Sequence, residues 1–189
     1  NITFSNTETF ADSCVDIYNL TTHVDSVPYY PTASINGNQD FTFGESVSLC
    51  TASSSVYLAI GSSTALSNYG AVYIYKKGNS DSVWNLIQTI QGPNVNSYFG
   101  GKLKFDASGS GALIIGNSNT INNNSIVYLY EKQDGIDNWA LTNTFTPIVS
   151  TEETLEYLDN LPAVITSSCP NMGFGNAVSI YGNKIVIGA

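Results

Sequence analysis

Apolar and polar residues alternate after three Phe-Gly pairs. Phe43-Gly44 leads into Glu45-Ser46-Val47-Ser48-Leu49, Phe99-Gly100 into Gly101-Lys102-Leu103-Lys104-Phe105, and Phe174-Gly175 into Asn176-Ala177-Val178-Ser179-Ile180. A period of two predicts a strand with one buried face, carried by Val47 and Leu49, by Leu103 and Phe105, and by Val178 and Ile180. Each is followed by an apolar run that ends in glycine: Val56 to Gly61, Ala112 to Gly116, and Lys184 to Gly188. Near-continuous apolar residues predict strands covered on both faces. The turns between, 51–55, 107–111 and Gly182-Asn183, are small and polar, and Gly and Asn accept the positive φ that such turns need.

A third strand follows in two of the copies, Ala71-Val72-Tyr73-Ile74-Tyr75 and Ile126-Val127-Tyr128-Leu129-Tyr130. Its β-branched and aromatic residues suit a pleated, half-buried surface. Trp84 follows Tyr75 at the same interval as Trp139 follows Tyr130, and each Trp opens a fourth strand, Trp84 to Ile90 and Trp139 to Phe145. The matched places of Tyr73, Tyr75, Tyr128 and Tyr130 mark them as packing residues. The unit is thus four short antiparallel strands, repeated after about 55 residues. That period predicts the blade of a β-propeller. A solenoid of stacked sheets is the alternative; glycine at each restart, where innermost strands crowd round a channel, favours the propeller.

These residues resemble the FG-GAP repeat family, the blades of integrin-α-type β-propellers. The elements that carry the likeness are Phe43-Gly44, Phe99-Gly100 and Phe174-Gly175, the glycines that close the second strands (Gly61, Gly116 and Gly188), and Trp84 and Trp139. Gly70-Ala71-Val72-Tyr73-Ile74-Tyr75 fits the shorter, non-calcium variant closely. The resemblance implies an all-β fold, here about two full and two partial blades. Residues 41–96 and 97–147 are the full ones, and 172–189 is the first half of another. Residues 1–40 read as the tail of a preceding blade, with Asp16 to Leu20 as its third strand, Tyr29 to Ile35 as its fourth, and Cys14 opposite Tyr69. So few blades do not close a ring, so further chain or partner subunits are expected to complete it.

Residues 148–171 interrupt the repeat. Ser150 with Glu153 forms a capping box, which predicts one short helix over 151–160 with Leu155 and Leu158 on one face and Pro162 beyond its end. Either this insertion carries function, as propeller loops often do, or it only covers the surface.

Composition changes the picture chiefly by exclusion. Of 189 residues only 11% are charged, and 6 Lys against 15 acids give a formal net charge of -9 with no Arg at all. Nucleic acid and anionic membrane surfaces both select clustered Lys and Arg, so neither is an expected partner. Polarity comes instead from 21 Asn, 23 Ser and 17 Thr. Three N-x-[ST] sequons, at Asn1, Asn19 and Asn123, are candidate glycosylation sites. Together these features favour an extracellular, cell-surface or virion-surface location; an AT-rich genome would produce a similar composition.

Candidate chemistry is sparse. Many relatives of the resembled family bind calcium between strands one and two, with several Asp or Asn at alternate positions. The corresponding segments here hold one carboxylate, Asp106, and calcium takes about 6–8 oxygen ligands. The calcium residues therefore do not carry over. The turn Asp134-Gly135-Ile136-Asp137 reads as a plain hairpin. His23 is the only histidine, and zinc or a nucleophile with its base would need partners that the chain does not space correctly. Glu152, Glu153 and Glu156 suit a helix N-terminus better than a pair of carboxylates facing across a sugar. No catalytic, metal or cofactor residue is expected, and no cofactor. Tyr69 and Tyr98, placed in connections, are the candidate contact residues. Of the three cysteines, Cys50 reads as a buried small residue, paired with neither Cys14 nor Cys169. The expected function is a non-enzymatic adhesion or assembly module whose partner is a protein or glycan on a surface. The alternative is a glycan-binding or enzyme-associated propeller, with chemistry elsewhere in a longer chain.

Overall fold

The computed structural model describes residues 13–17, 33–37, 41–52, 54–78, 83–117, 125–147 and 173–188. Expectations for the sequons at Asn1, Asn19 and Asn123, for His23, for Cys169 and for the helix and insertion at 148–171 lie outside these residues. Two four-stranded antiparallel sheets form the centre. The first runs β3 (Ser46–Ala52), β4 (Ser55–Ser62), β5 (Ala71–Gly78), β6 (Asn85–Gln91). The second runs β7 (Lys102–Phe105), β8 (Leu113–Asn117), β9 (Ile126–Lys132), β10 (Trp139–Phe145). Two-stranded sheets flank them: β1 (Cys14–Ile17) with β2 (Ala33–Asn36), and β11 (Ala177–Tyr181) with β12 (Lys184–Gly188). The innermost strands β3, β7 and β11 lie side by side, so the sheets stand as the blades of an open, incomplete propeller.

Each restart is a four-residue turn. The amides of Glu45, Gly101 and Asn176 donate to the carbonyls of Thr42, Tyr98 and Gly173 at 3.0, 3.1 and 2.8 Å. The glycine after each Phe has φ 90°, 87° and 88°. A positive φ at the third turn position is what a type II turn demands, and glycine meets it without steric cost. The preceding Phe packs on the first Tyr of its own blade's third strand, with ring centroids 5.5 Å apart for Phe43–Tyr73 and 5.4 Å for Phe99–Tyr128.

Three apolar layers lie between successive sheets. Val15, Ile17 and Ile35 pack on Leu58, Ile60, Tyr73 and Trp84. Tyr57, Ala59, Val72 and Ile74 pack on Phe99, Phe105, Leu113, Ile115 and Trp139. Ile114 and Val127 pack on Val178, Ile180, Ile185 and Ile187. β8 is buried along its whole length, as an apolar run should be. Gly61 and Gly116 let the sheets approach: a Cβ there would lie 1.9 and 2.3 Å from the carbonyl oxygens of Gly100 and Gly175 in the next sheet.

β3 departs from expectation. Val47 and Leu49 are 51% and 54% exposed, while Ser48 and Cys50 are buried. Val47 and Leu49 share the face of Leu58 and Ile60, which is turned to β1 and β2, and neither of those strands packs beside β3. The opposite face, with Ser48 and Cys50, meets the second sheet and is joined to it by hydrogen bonds. Ser46 Oγ donates to the Gly100 carbonyl at 2.6 Å, and Ser48 Oγ accepts from the Phe105 amide at 3.0 Å.

β1 and β2 correspond to third and fourth strands, but in a shifted register. Gly37 donates to the Ser13 carbonyl at 2.7 Å as Gly92 does to Gly70 at 2.9 Å. Val15 Cγ2 stands over Gly44 as Val72 Cγ2 stands over Gly100. Cys14 therefore matches Ala71, two residues from the expected Tyr69. Counting back along the chain failed because the β1–β2 connection, 18–32, is longer than the β5–β6 connection, 79–84.

Candidate functional site

The two ends of the blades differ in chemistry. At one end, β4 passes to β5 through the short turn α1 (Ala65–Asn68), and β6 passes to the next sheet through residues 92–98. Neither 63–70 nor 92–98 contains a charged residue. The five non-glycine residues of positive φ among the described residues all fall here: Leu66 (52°), Ser67 (60°), Asn68 (68°), Asn96 (58°) and Tyr98 (54°). Three consecutive left-handed residues cost about 1–2 kcal/mol each, so surrounding contacts must hold them.

Those contacts are visible. Asn68 and Gly70 amides return to the carbonyls of Thr64 and Ala65 at 3.2 and 3.0 Å. The Asn96 amide donates to the Asn68 carbonyl at 2.6 Å, and Ser97 Oγ donates to the Tyr69 carbonyl at 3.2 Å. Thr64 Oγ1 stands 2.8 Å from Thr42 Oγ1, which is 2.6 Å from Ser62 Oγ. Gly70 and Gly92 admit the crossing chain: a Cβ on either would lie about 2 Å from a backbone oxygen, of Phe99 (2.2 Å) or Tyr69 (2.1 Å). The candidate contact residues Tyr69 and Tyr98 are brought into one region, Tyr69 half-buried and Tyr98 39% exposed. Leu66 and Val95 are exposed beside them, as are Ser67, Asn68 and Asn96. Sequence reasoning missed Leu66, Asn68 and Asn96. The pairing of Asn68 and Asn96 with loops was a legible signal, because Asn tolerates the left-handed region better than most residues.

A cavity of about 420 Å³ adjoins this end, lined among others by Gly37, Phe41, Phe43, Leu66, Tyr73 and Leu86. Among the described residues that line it there is no carboxylate, amine, imidazole or thiol. It offers space and apolar surface, with the hydroxyls of Thr64, Tyr73 and Tyr75 among its polar groups.

The opposite end holds the ion pairs found among the described residues. Asp137 Oδ1 accepts from Tyr57 Oη at 2.7 Å, and Asp137 Oδ2 pairs with Lys76 Nζ at 2.6 Å. Lys132 Nζ lies 3.4 Å from Asp137 and 5.9 Å from the Trp139 ring centre. The expected plain hairpin at 134–137 thus clasps the first sheet to the second. The Lys76 ammonium holds the Asp137 carboxyl below its ordinary range. Burial, with the hydrogen bond to Asp137, pushes the Tyr57 phenol up to about 12. Trp139 is buried, and its Nε1 donates to the Gly111 carbonyl at 2.6 Å; Trp84 is half-buried.

Asp106 is buried at this same end. It accepts from the amides of Ser108 and Gly182, each at 2.9 Å, and from the hydroxyls of Ser108 and Ser110. Burial alone would raise its pKa; the hydrogen bonds outweigh that and hold it at about 2. Both carboxylate oxygens are thereby occupied by protein donors. Among the described residues no three His, Cys, Asp or Glu side chains gather as a metal site would require. Cys14 is exposed and Cys50 buried, both as free thiols; burial pushes the Cys50 thiol up to about 11.

No family model matches the chain, and no curated protein matches it. No helix among the described residues is long and apolar enough to cross a membrane.

Proposed function

We propose that this chain is a non-enzymatic adhesion or assembly module, a set of FG-GAP-like propeller blades that engages a partner on a cell or virion surface through its uncharged loop end. The observation that carries the reading is the left-handed segment Leu66–Asn68, locked by the 92–98 crossing. Backbone strain of this kind persists only where contacts over-determine it, and it concentrates at ligand-binding positions. Here it presents Leu66, Val95 and Tyr98 to solvent on a rigid support. A protein or glycan partner on a surface fits that display. The Asp106 carboxylate, held by protein donors, is not free for catalysis.

The test is capture of the protein, displayed on beads, by cell or particle surfaces. A variant carrying Leu66→Ser, Val95→Ser and Tyr98→Ala should lose capture while its melting temperature stays close to that of the parent. Equal capture by parent and variant would exclude this end as the contact face.

A further inference from the structure

We propose that the platform formed by Ser67, Asn68, Asn96 and Tyr98, bordered by Leu66 and Val95, binds a neutral oligosaccharide. The inference rests on the reading of this end as the contact face, and it names the ligand class. Three observations carry it.

Charge is the first. Residues 63–70 and 92–98 contain no ionisable side chain other than tyrosine, in a chain of net charge -9. Glu45 borders the region, where it accepts a hydrogen bond from Ser63 Oγ. A cationic ligand would find stronger fields elsewhere on this molecule, and an anionic one would find no counter-charge within 63–70 or 92–98. A neutral ligand loses nothing by either absence.

Hydrogen-bonding capacity is the second. Sugar hydroxyls both donate and accept, and so do the exposed side chains of Ser67, Asn68 and Asn96. The backbone bond from Asn96 to the Asn68 carbonyl at 2.6 Å holds the two asparagines together. Tyr98, two residues on and 39% exposed, adds a ring, an apolar face for sugar C–H groups with a polar tip.

Rigidity and size are the third. Sugar ligands are small and strongly hydrated, so affinity depends on a site that is ordered beforehand. The crossing hydrogen bonds and the crowded glycines supply that order. A stable protein interface, by contrast, needs about 800 Å² from each partner, with a large apolar centre. Leu66 and Val95 stand at the border as partly exposed single residues, 44% and 46%.

The experiment uses the intact protein, displayed multivalently to offset weak single-site binding. It is applied to an array of immobilised neutral oligosaccharides of hexose and N-acetylhexosamine, beside sialylated and sulfated forms. Binding should favour neutral glycans. Tyr98→Ala and Asn96→Asp should each weaken it by about tenfold or more, and Tyr98→Phe should retain most of it. Asn96→Asp keeps a side chain suited to left-handed backbone, and thermal unfolding checks the fold of every variant. Preference for sialylated or sulfated glycans would overturn the proposal. So would absence of glycan binding while surface capture persists and is abolished by the same variants. That outcome would leave the contact face in place and make its partner a protein. Neutral-glycan binding untouched by all three variants would overturn the assigned site.

Discussion

The Gly182 amide donates to the Asp106 carboxylate at 2.9 Å, joining residues 76 positions apart and the second sheet to the third. The same carboxylate closes its own hairpin through Ser108 and Ser110. One side chain therefore holds a turn and an inter-sheet contact together.

Asp106→Ala should lower stability by about 1–3 kcal/mol, because buried donors lose their acceptor. The carboxyl is held at about 2, against about 3.9 in an unfolded chain. A depressed pKa stabilises above the unfolded value and loses that contribution as pH falls through the folded one. About 2–3 kcal/mol should thus disappear progressively between about pH 5 and pH 1. Urea midpoints measured across that range should fall steeply for the parent and less steeply for Asp106→Asn. Parallel slopes would show that Asp106 is not the group responsible.

Gly61 and Gly116 face carbonyl oxygens of the adjoining sheet and not solvent. Gly61→Ala and Gly116→Ala should each cost about 1–3 kcal/mol or more, since a backbone must move. Gly135 has φ 74° with nothing within 4 Å, so Gly135→Ala meets backbone strain alone. It should cost less than either. Chemical denaturation of the three variants orders them; a milder Gly61→Ala would mean that the sheets can part without loss.

The clasp of Lys76, Tyr57 and Asp137 should behave as a part-exposed network. A double-mutant cycle of Lys76→Ala with Asp137→Ala should give a coupling of about 0.2–1 kcal/mol that shrinks in high salt. Tyr57, raised to about 12, contributes stability below the ordinary tyrosine pKa of about 10 and loses it as pH rises towards 12. Asp137→Ala removes its acceptor and should bring its titration down, as followed by NMR of a ring-labelled sample. An unchanged titration would leave burial as the sole cause.

Thiol labelling should separate Cys14 from Cys50. Exposed Cys14 should react with iodoacetamide in the native protein, whereas buried Cys50, pushed up to about 11, should react only after unfolding. Peptide mass mapping reads both. Rapid native labelling of Cys50 would show that the layer between β3 and β7 opens readily.

Much of the fold could be read from local pattern. The three restarts were legible because a type II turn needs glycine at one place, whatever surrounds it. The second strands were legible because an apolar run must be covered on both faces. Trp84 and Trp139 marked the fourth strands at a fixed interval. Tyr69 and Tyr98 stood out as contact candidates because they fell between strands, off the repeated packing places.

What remained hidden depended on distant neighbours. Whether β3 buries Val47 and Leu49 or Ser48 and Cys50 turns on which face has a sheet beside it: Ser48 and Cys50 meet β7, while Val47 and Leu49 face the side of β1 and β2. The partner of Asp137 is Lys76, 61 residues away, and no spacing rule joins them. The left-handed turn at Leu66–Asn68 contains no glycine, and the hydrogen bond that ties it to the 92–98 crossing, from the Asn96 amide to the Asn68 carbonyl, joins residues far apart along the chain. Strand period and turn chemistry are properties of a few consecutive residues, so the amino-acid sequence determined them alone. Which face is buried, which charges meet and where the backbone is strained follow from sheet-to-sheet contact, so only the tertiary structure decided them.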